Sequence, residues 1–149
     1  MKVDLEIEGA DFTCASLPDA DLYHVRLEGT NLSHANLSGS YSMLAEFNNV
    51  DLTGADLTST SWEYVYFKNT NLSGANFTDA ALVGTDLIGA DLTGANFTSA
   101  TLEEVDLSGA NLTDVDFTGA ILKDINLIGA TFDVAIFDKA AVKEKLIMK

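Results

Sequence analysis

The chain holds one cysteine, one proline and only eight Lys and Arg in 149 residues. A lone Cys14 excludes an internal disulfide, so no covalent staple supports this fold. Against the eight bases stand 23 Asp and Glu, a formal net charge of −15. That balance argues against direct binding to nucleic acid or an anionic membrane surface, which both call for a basic footprint. No apolar run approaches the ~18 residues of a membrane span, and Met1–Glu8 carries no apolar signal-peptide core, so the expected compartment is the cytoplasm. The basic residues are also unevenly placed. Residues 1–138 hold 22 acids and four bases, whereas residues 139–149 hold four lysines and one glutamate.

What is present is a repeat of five. All eleven glycines, from Gly9 to Gly129, leave the same remainder on division by five, which random placement would produce about one time in ten million. Two residues before each glycine position stands Leu, Phe, Ile or Trp, from Ile7 to Phe137, with Ser42 as the single exception. Two residues before that is a small residue, mostly Ala, Val or Thr. Inward residues spaced two apart have the period of a strand, and a five-residue repeat cannot sustain the 3.6-residue stripe of an amphipathic helix. Glycine at the fifth place suits a corner needing backbone angles costly to other residues, and Asp, Asn, Ser and Thr can bond turn backbone.

Runs such as Ala55-Asp56-Leu57-Thr58-Ser59 and Ala90-Asp91-Leu92-Thr93-Gly94 carry the consensus: small, Asp or Asn, Leu or Phe, Ser or Thr, Gly or polar. This pattern resembles the pentapeptide-repeat family over residues 5–138, about 27 units. The resemblance implies an all-β, right-handed quadrilateral β-helix in which four repeats make one square coil. About seven coils stacked at ~4.8 Å give a rod ~32 Å long. Steps of twenty residues then define ladders, for example Leu17, Leu37, Leu57, Phe77, Phe97, Phe117 and Phe137. On another face the ladder reads Leu22, Ser42, Trp62, Leu82, Leu102, Leu122, Val142, with the one polar core residue a rung below the one tryptophan. The repeat domain is expected over 1–138. Its first strand is guarded by charge, with Val3, Leu5 and Ile7 inward and Lys2, Asp4, Glu6 and Glu8 outward. Residues 139–149 form a separate cap, expected as a short helix over Lys139–Met148 N-capped by Asp138, with Val142, Leu146 and Ile147 on the last coil.

A filled rod without insertions provides no cleft for catalysis, so no catalytic residue, cofactor or metal is expected. His24 and His34 fall on opposite faces, too far apart to share a metal. Cys14 has no basic neighbour to activate it. The Gly-Gly-x-Gly-x-Asp spacing of calcium-binding β-helices is absent.

Two features stand out. All four tyrosines and Trp62 lie within residues 23–66, and Tyr23, Tyr41, Met43, Leu44 and Tyr64 make a candidate apolar patch of the kind that marks a protein–protein site. The second feature is acidity on every face, with Asp51, Asp56, Asp86, Asp91, Asp106 and Asp116 as candidate carboxylates. A 32 Å length of duplex holds about 19 charges, close to the net charge of residues 1–138. The family resemblance implies a related possibility, since some members mimic duplex DNA, bind type II topoisomerases and protect them from quinolones. Members of that class from Gram-negative bacteria carry loops between repeats, which this chain lacks, and loopless ones dimerise through a C-terminal helix. The leading expectation is a non-catalytic structural or protein-interaction module with a protein partner, monomeric or dimeric through its tail. The alternative is a DNA mimic regulating DNA gyrase or topoisomerase IV.

The Ser42/Trp62 pairing has a direct test. If the small residue makes room for the indole, Ser42→Leu overpacks the core, and thermal or urea unfolding should show a loss of about 1–3 kcal/mol.

Overall fold

The computed structural model describes residues 5–148; Val3 and its charged neighbours Lys2 and Asp4 lie outside them. Within that range the chain winds into a four-sided parallel β-helix of about seven coils. Isolated bridges between neighbouring coils recur at a spacing of twenty residues, such as Asn31↔Asp51, Asp51↔Asn71, Asn71↔Asp91 and Asp91↔Asn111.

One repeat shows why the local sequence folds this way. In residues 51–55 every backbone N–H has an acceptor. Asp51 donates down to Thr30 O at 3.0 Å, Leu52 up to Asn71 O at 2.7 Å and Gly54 up to Ser73 O at 2.9 Å, while Ala55 closes the turn on Leu52 O at 3.0 Å. The remaining group, the Thr53 N–H, donates to Asp51 Oδ1 at 3.0 Å. Five residues thus satisfy all their backbone donors with three bonds to adjacent coils, one backbone turn and one side chain. The corner conformation makes this possible. All 25 corner residues from Gly9 to Gly129, eleven glycines and fourteen others, have φ between 53° and 71°. Most of the fourteen are Asn, Asp, Ser or His, which tolerate this left-handed region better than larger side chains do.

Where the acceptor side chain is missing, the chain can extend instead. The strands β1 (Glu6–Glu8), β2 (Arg26–Glu28), β3 (Tyr41–Met43), β4 (Ser61–Glu63), β5 (Ala81–Val83), β6 (Thr101–Glu103) and β7 (Ile121–Asn126) all begin on a residue other than Asp or Asn. β1 and β2 pair on the first face, that of Ile7 and Leu27. β3 to β7 pair in order on the fourth face, that of Ser42 and Trp62.

The inward residues form continuous buried ladders. Phe77, Phe97, Phe117 and Phe137 stack with ring centroids 4.5–5.5 Å apart, a favourable offset-stacking range. Ser42 and Trp62 are adjacent rungs of one ladder, as expected, and both are fully buried. The indole packs beside the stacked pair Phe47 and Phe67, at 5.4 and 5.3 Å from their ring centroids. Its Nε1–H donates to Ser40 Oγ at 3.1 Å, and the Ser42 hydroxyl donates to Leu22 O at 3.1 Å. Both polar groups in this part of the core are therefore satisfied.

The C-terminal cap is not the expected helix. Val142–Ile147 forms a strand, β8, parallel to β7. The edge of β7 offers a ready row of hydrogen-bond partners and Leu146 packs against the core there, whereas ten residues alone make a marginal helix. The strand is also shifted. Phe137 still stacks on Phe117, twenty residues back, but Val142 pairs with Ile121, twenty-one back. One extra residue is taken up between them, after a short 3-10 turn at Val134–Phe137. Consequently Lys143, not Val142, stands over Leu122 in the core ladder. Lys145 takes the next corner with φ 51° and forms an ion pair with Asp124, the corner beneath it.

The Trp62 anchor generates a measurable consequence. Ser40→Ala leaves the buried indole N–H without an acceptor, and denaturant unfolding should report a loss of about 1–3 kcal/mol with an unchanged m-value.

Candidate interaction surfaces

The five residues of the expected apolar patch all come to the fourth face. Tyr41 and Met43 flank Ser42 on β3, and Leu44 follows at the corner. Tyr64 occupies the corner one coil later and Tyr23 lies one coil earlier. Tyr41, Leu44 and Tyr64 are 39%, 39% and 45% exposed, whereas Tyr23 and Met43 are half-buried. The Tyr23 ring tilts against His24 with centroids 4.3 Å apart. Tyr66, equally accessible, sits past buried Val65 on the neighbouring first face. On the fourth face no charged residue intervenes between His24 and Glu63.

Leu44 and Tyr64 occupy the most costly kind of position for their side chains. Among the 25 corners they are the only large apolar or aromatic residues, with φ of 60° and 53°, where glycine would be unstrained. The Tyr64 ring is nonetheless fixed: it covers Gly84, and a Cβ added there would fall 2.5 Å from Tyr64 Cδ1. Glycine on one coil therefore gives the tyrosine of the coil before it a flat seat. Sequence reading alone misses this pairing, although its signal is simple: the residues are twenty apart and both are corners.

The acidic candidates occupy a different set of positions. Asp51, Asp56, Asp86, Asp91, Asp106 and Asp116 each accept the N–H of the residue two further on, at 2.8–3.1 Å. Asn31, Asn36, Asn71, Asn76, Asn96 and Asn111 make the same bond from equivalent positions. At these positions the turn uses an oxygen acceptor, and a charge is not needed. Along the second face the column alternates Asp11, Asn31, Asp51, Asn71, Asp91, Asn111, so carboxylates at ~4.8 Å rung spacing are kept about two rungs apart. The amide of Asn111 reaches back to Thr93 Oγ1 at 2.9 Å and Asp91 Oδ1 at 3.4 Å. On the first face Arg26 separates two carboxylates, bonding Glu6 at 2.7 Å below and Glu46 at 3.1 Å above, whereas Asp86 and Asp106 occupy adjacent rungs.

No group of three or more His, Cys, Asp or Glu among the described residues has an arrangement that could hold a metal ion. His24 and His34 occupy corners of opposite faces, and the His34 ring packs over Gly54. Cys14 is an exposed corner residue. No helix among the described residues is long and apolar enough to cross a membrane.

A four-sided parallel solenoid with a five-residue period, glycine-rich left-handed corners and Leu/Phe ladders defines the pentapeptide-repeat class of β-helix. The family model for pentapeptide repeats matches in eight copies, over residues 7–39, 26–61, 51–87, 70–109 and 110–143, and the chain belongs to this family. In fold it is similar to HetL, a pentapeptide-repeat protein involved in heterocyst differentiation regulation from the cyanobacterium Nostoc sp. strain PCC 7120. The two share 24% identity with a TM-score of 0.52, over 97% of this chain and 87% of HetL. A second pentapeptide-repeat protein of Nostoc PCC 7120, alr5209, is 28% identical over 91% of this chain and 84% of its own, with a TM-score of 0.44. A trypsin-treated variant of QnrB1, a plasmid-mediated fluoroquinolone resistance protein, aligns at 20% identity over 97% of this chain and 92% of its own, with a TM-score of 0.46. None of the curated proteins matches the chain in sequence.

The turn role of the carboxylates sets a pH dependence. Hydrogen bonds from the Thr118 side chain and backbone hold Asp116 below the usual carboxylate range, with Lys139 adding to the effect; Thr13 does the same for Asp11. Because these folded-state values are depressed, their stabilising contribution is complete above the ordinary Asp value and is lost as pH falls through the depressed one. Asp116→Asn keeps the acceptor, so melting curves should show little change at pH 7 and a smaller loss of Tm between about pH 4 and pH 2 than wild type.

Proposed function

We propose that the chain is a non-catalytic interaction module that binds a protein partner through the fourth face, with Tyr41, Leu44 and Tyr64 as its anchors. The observation that carries this reading is the placement of Leu44 and Tyr64 at left-handed corners. Each costs about 1 kcal/mol or more relative to a residue suited to that conformation, and each still leaves a large apolar area in solvent, 39% of Leu44 and 45% of Tyr64. A partner that covers them recovers apolar area. Tyr64 is also well prepared as an anchor, since its ring already rests on Gly84 and little rotamer freedom remains to be lost on binding.

The second reading, a DNA mimic acting on DNA gyrase or topoisomerase IV through Asp51, Asp56, Asp86, Asp91, Asp106 and Asp116, is supported by acidity on every side of the rod. Two observations rank it lower. Those carboxylates serve as turn acceptors interchangeably with asparagine, and the Asp/Asn alternation on the second face dilutes its charge along the rod.

The two readings separate on a variant and on salt. Leu44→Gly relieves the corner strain and should raise or preserve Tm while removing partner capture, a gain in stability with a loss of function. Tyr64→Ala should weaken capture by at least about tenfold, and capture by wild type should survive about 0.5 M salt. Purified protein that inhibits gyrase supercoiling, with inhibition fading as salt rises and unaffected by Leu44→Gly, would instead establish the acidic reading.

A further inference from the structure

The residues that begin each repeat of the first face form a column: Glu6, Arg26, Glu46, Tyr66, Asp86, Asp106, Asn126. Its lower half neutralises itself, since Arg26 stands between Glu6 and Glu46 and bonds both. Its upper half does not. Asp86 and Asp106 lie on adjacent rungs, ~4.8 Å apart, an arrangement of like charges that costs stability. Among the described residues no other face begins two successive repeats with acids. One oxygen of each carboxylate accepts its turn bond, from the Ile88 N–H at 2.9 Å and the Ser108 N–H at 2.8 Å. Neither carboxylate makes an ion pair with a described residue.

The surroundings of the pair are short of positive charge. From residue 69 to residue 122 the chain carries eight acids and no Lys, Arg or His. Beside the pair stands an aromatic wall. Tyr66 is 43% exposed and shares with Asp86 a groove of about 370 Å³, whose other lining residues are Glu46, Asn48 and Lys68. Lys68 lies two residues further from the fourth face and forms no ion pair with Asp86. Across buried Val65 the ring of Tyr64 begins the fourth face, and exposed Glu104 precedes Asp106 over the same edge two coils further on. The apolar anchors of the fourth face therefore run directly into an unneutralised acidic edge.

We propose that this edge receives an arginine side chain of the protein that covers the fourth face, its guanidinium on Asp86 and Asp106 and its stem on Tyr66. The proposal rests on the fourth-face reading for the partner being a protein, and adds how that partner is recognised. A guanidinium carries five N–H donors in one plane, so one group serves two neighbouring carboxylates, whereas a lysine ammonium acts as a point charge. Its flat face and apolar stem pack on a tyrosine ring. The chain already uses this chemistry in the same column, where Arg26 bridges Glu6 and Glu46. Arg26 is also the only arginine in the sequence, so a second copy has no free guanidinium to offer and the occupant is a different protein. Its recognition segment places an apolar side chain over Leu44 and Tyr64 and an arginine one to two rungs, ~5–10 Å, further toward the C-terminal end of the rod.

The experiment is an NMR titration of the full chain with N-acetyl-arginine amide, and with the lysine and citrulline amides as controls, citrulline being the uncharged isostere. For wild type at low salt the arginine probe should give saturable shifts at Asp86, Asp106 and the Tyr66 ring, with a Kd of about 1–10 mM. The lysine probe should bind at least about threefold more weakly, and citrulline should give no saturable shift. Asp106→Asn keeps the turn acceptor and should weaken the arginine probe at least about tenfold. It should also melt above wild type at low salt, because it removes a like-charge contact, so lost binding there is not lost folding. Tyr66→Leu should bring the arginine and lysine probes to within about 1.5-fold of each other. Leu44→Gly should leave all these shifts as in wild type, so the edge and the fourth-face anchors succeed or fail separately. No saturable shift up to about 50 mM arginine probe overturns the proposal. So does equal binding of arginine and lysine, a saturable response to citrulline, or an undiminished response in Asp106→Asn.

Discussion

Everything in this molecule depends on closing the backbone hydrogen bonds of five residues at a time. In the repeats that start on Asp or Asn, three donors go to neighbouring coils, one to a turn carbonyl and one to that side chain, and the fourth residue adopts the left-handed conformation, as it does at every corner from Gly9 to Gly129. Once that corner is made, the chain has turned through a quarter of a coil and the next repeat begins with the same geometry. The ladders of Leu and Phe follow from this repetition, since inward residues twenty apart must lie on one another. Stability is then largely a sum of rung-to-rung terms, each coil depending on its immediate neighbours.

Departures from the repeat show how it accommodates other demands. Trp62 is too large for a leucine slot, and the core adjusts on two sides: Ser42 below it is small, and Ser40 provides an acceptor for the indole. From Tyr41 onward the fourth face gives up Asp and Asn at the start of its repeats, its chain extends into β3–β7, and the surface it presents is the least charged around Tyr41 and Leu44. A change in turn chemistry thus accompanies a change in surface character on the same face.

The period, the inward residues and the assignment of Tyr23, Tyr41, Met43, Leu44 and Tyr64 to one face were legible in the sequence, because arithmetic in fives and twenties is enough to place them. Three matters were not. The Ser40–Trp62 bond joins residues 22 apart that belong to different positions of the repeat, so no ladder rule pairs them. The seating of Tyr64 on Gly84 depends on ring direction, which the period leaves open. The tail misled for a physical reason: Lys139–Met148 has helix-forming composition, but the exposed edge of β7 is a stronger template than ten residues of local propensity,. The acidic column was visible as a charge; its use as a set of turn acceptors became clear only when Asn was seen making the same bonds.

The one-residue shift before β8 shows what kind of change the architecture tolerates. A single added residue would move every later core side chain out of line, and it occurs here in the final coil, where only a short strand follows. A gain or loss of five residues acts differently. It preserves the inward pattern and the corners, yet carries everything downstream onto the adjacent side. Removing one repeat between Tyr66 and Ile121 would leave a well-packed rod whose C-terminal strand had rotated by a quarter turn relative to the tyrosine patch. Gain or loss of twenty residues changes only length. For a lineage of such genes, repeat number is therefore an angular coordinate as well as a linear one, and surfaces on different coils can be re-aimed without redesigning the core.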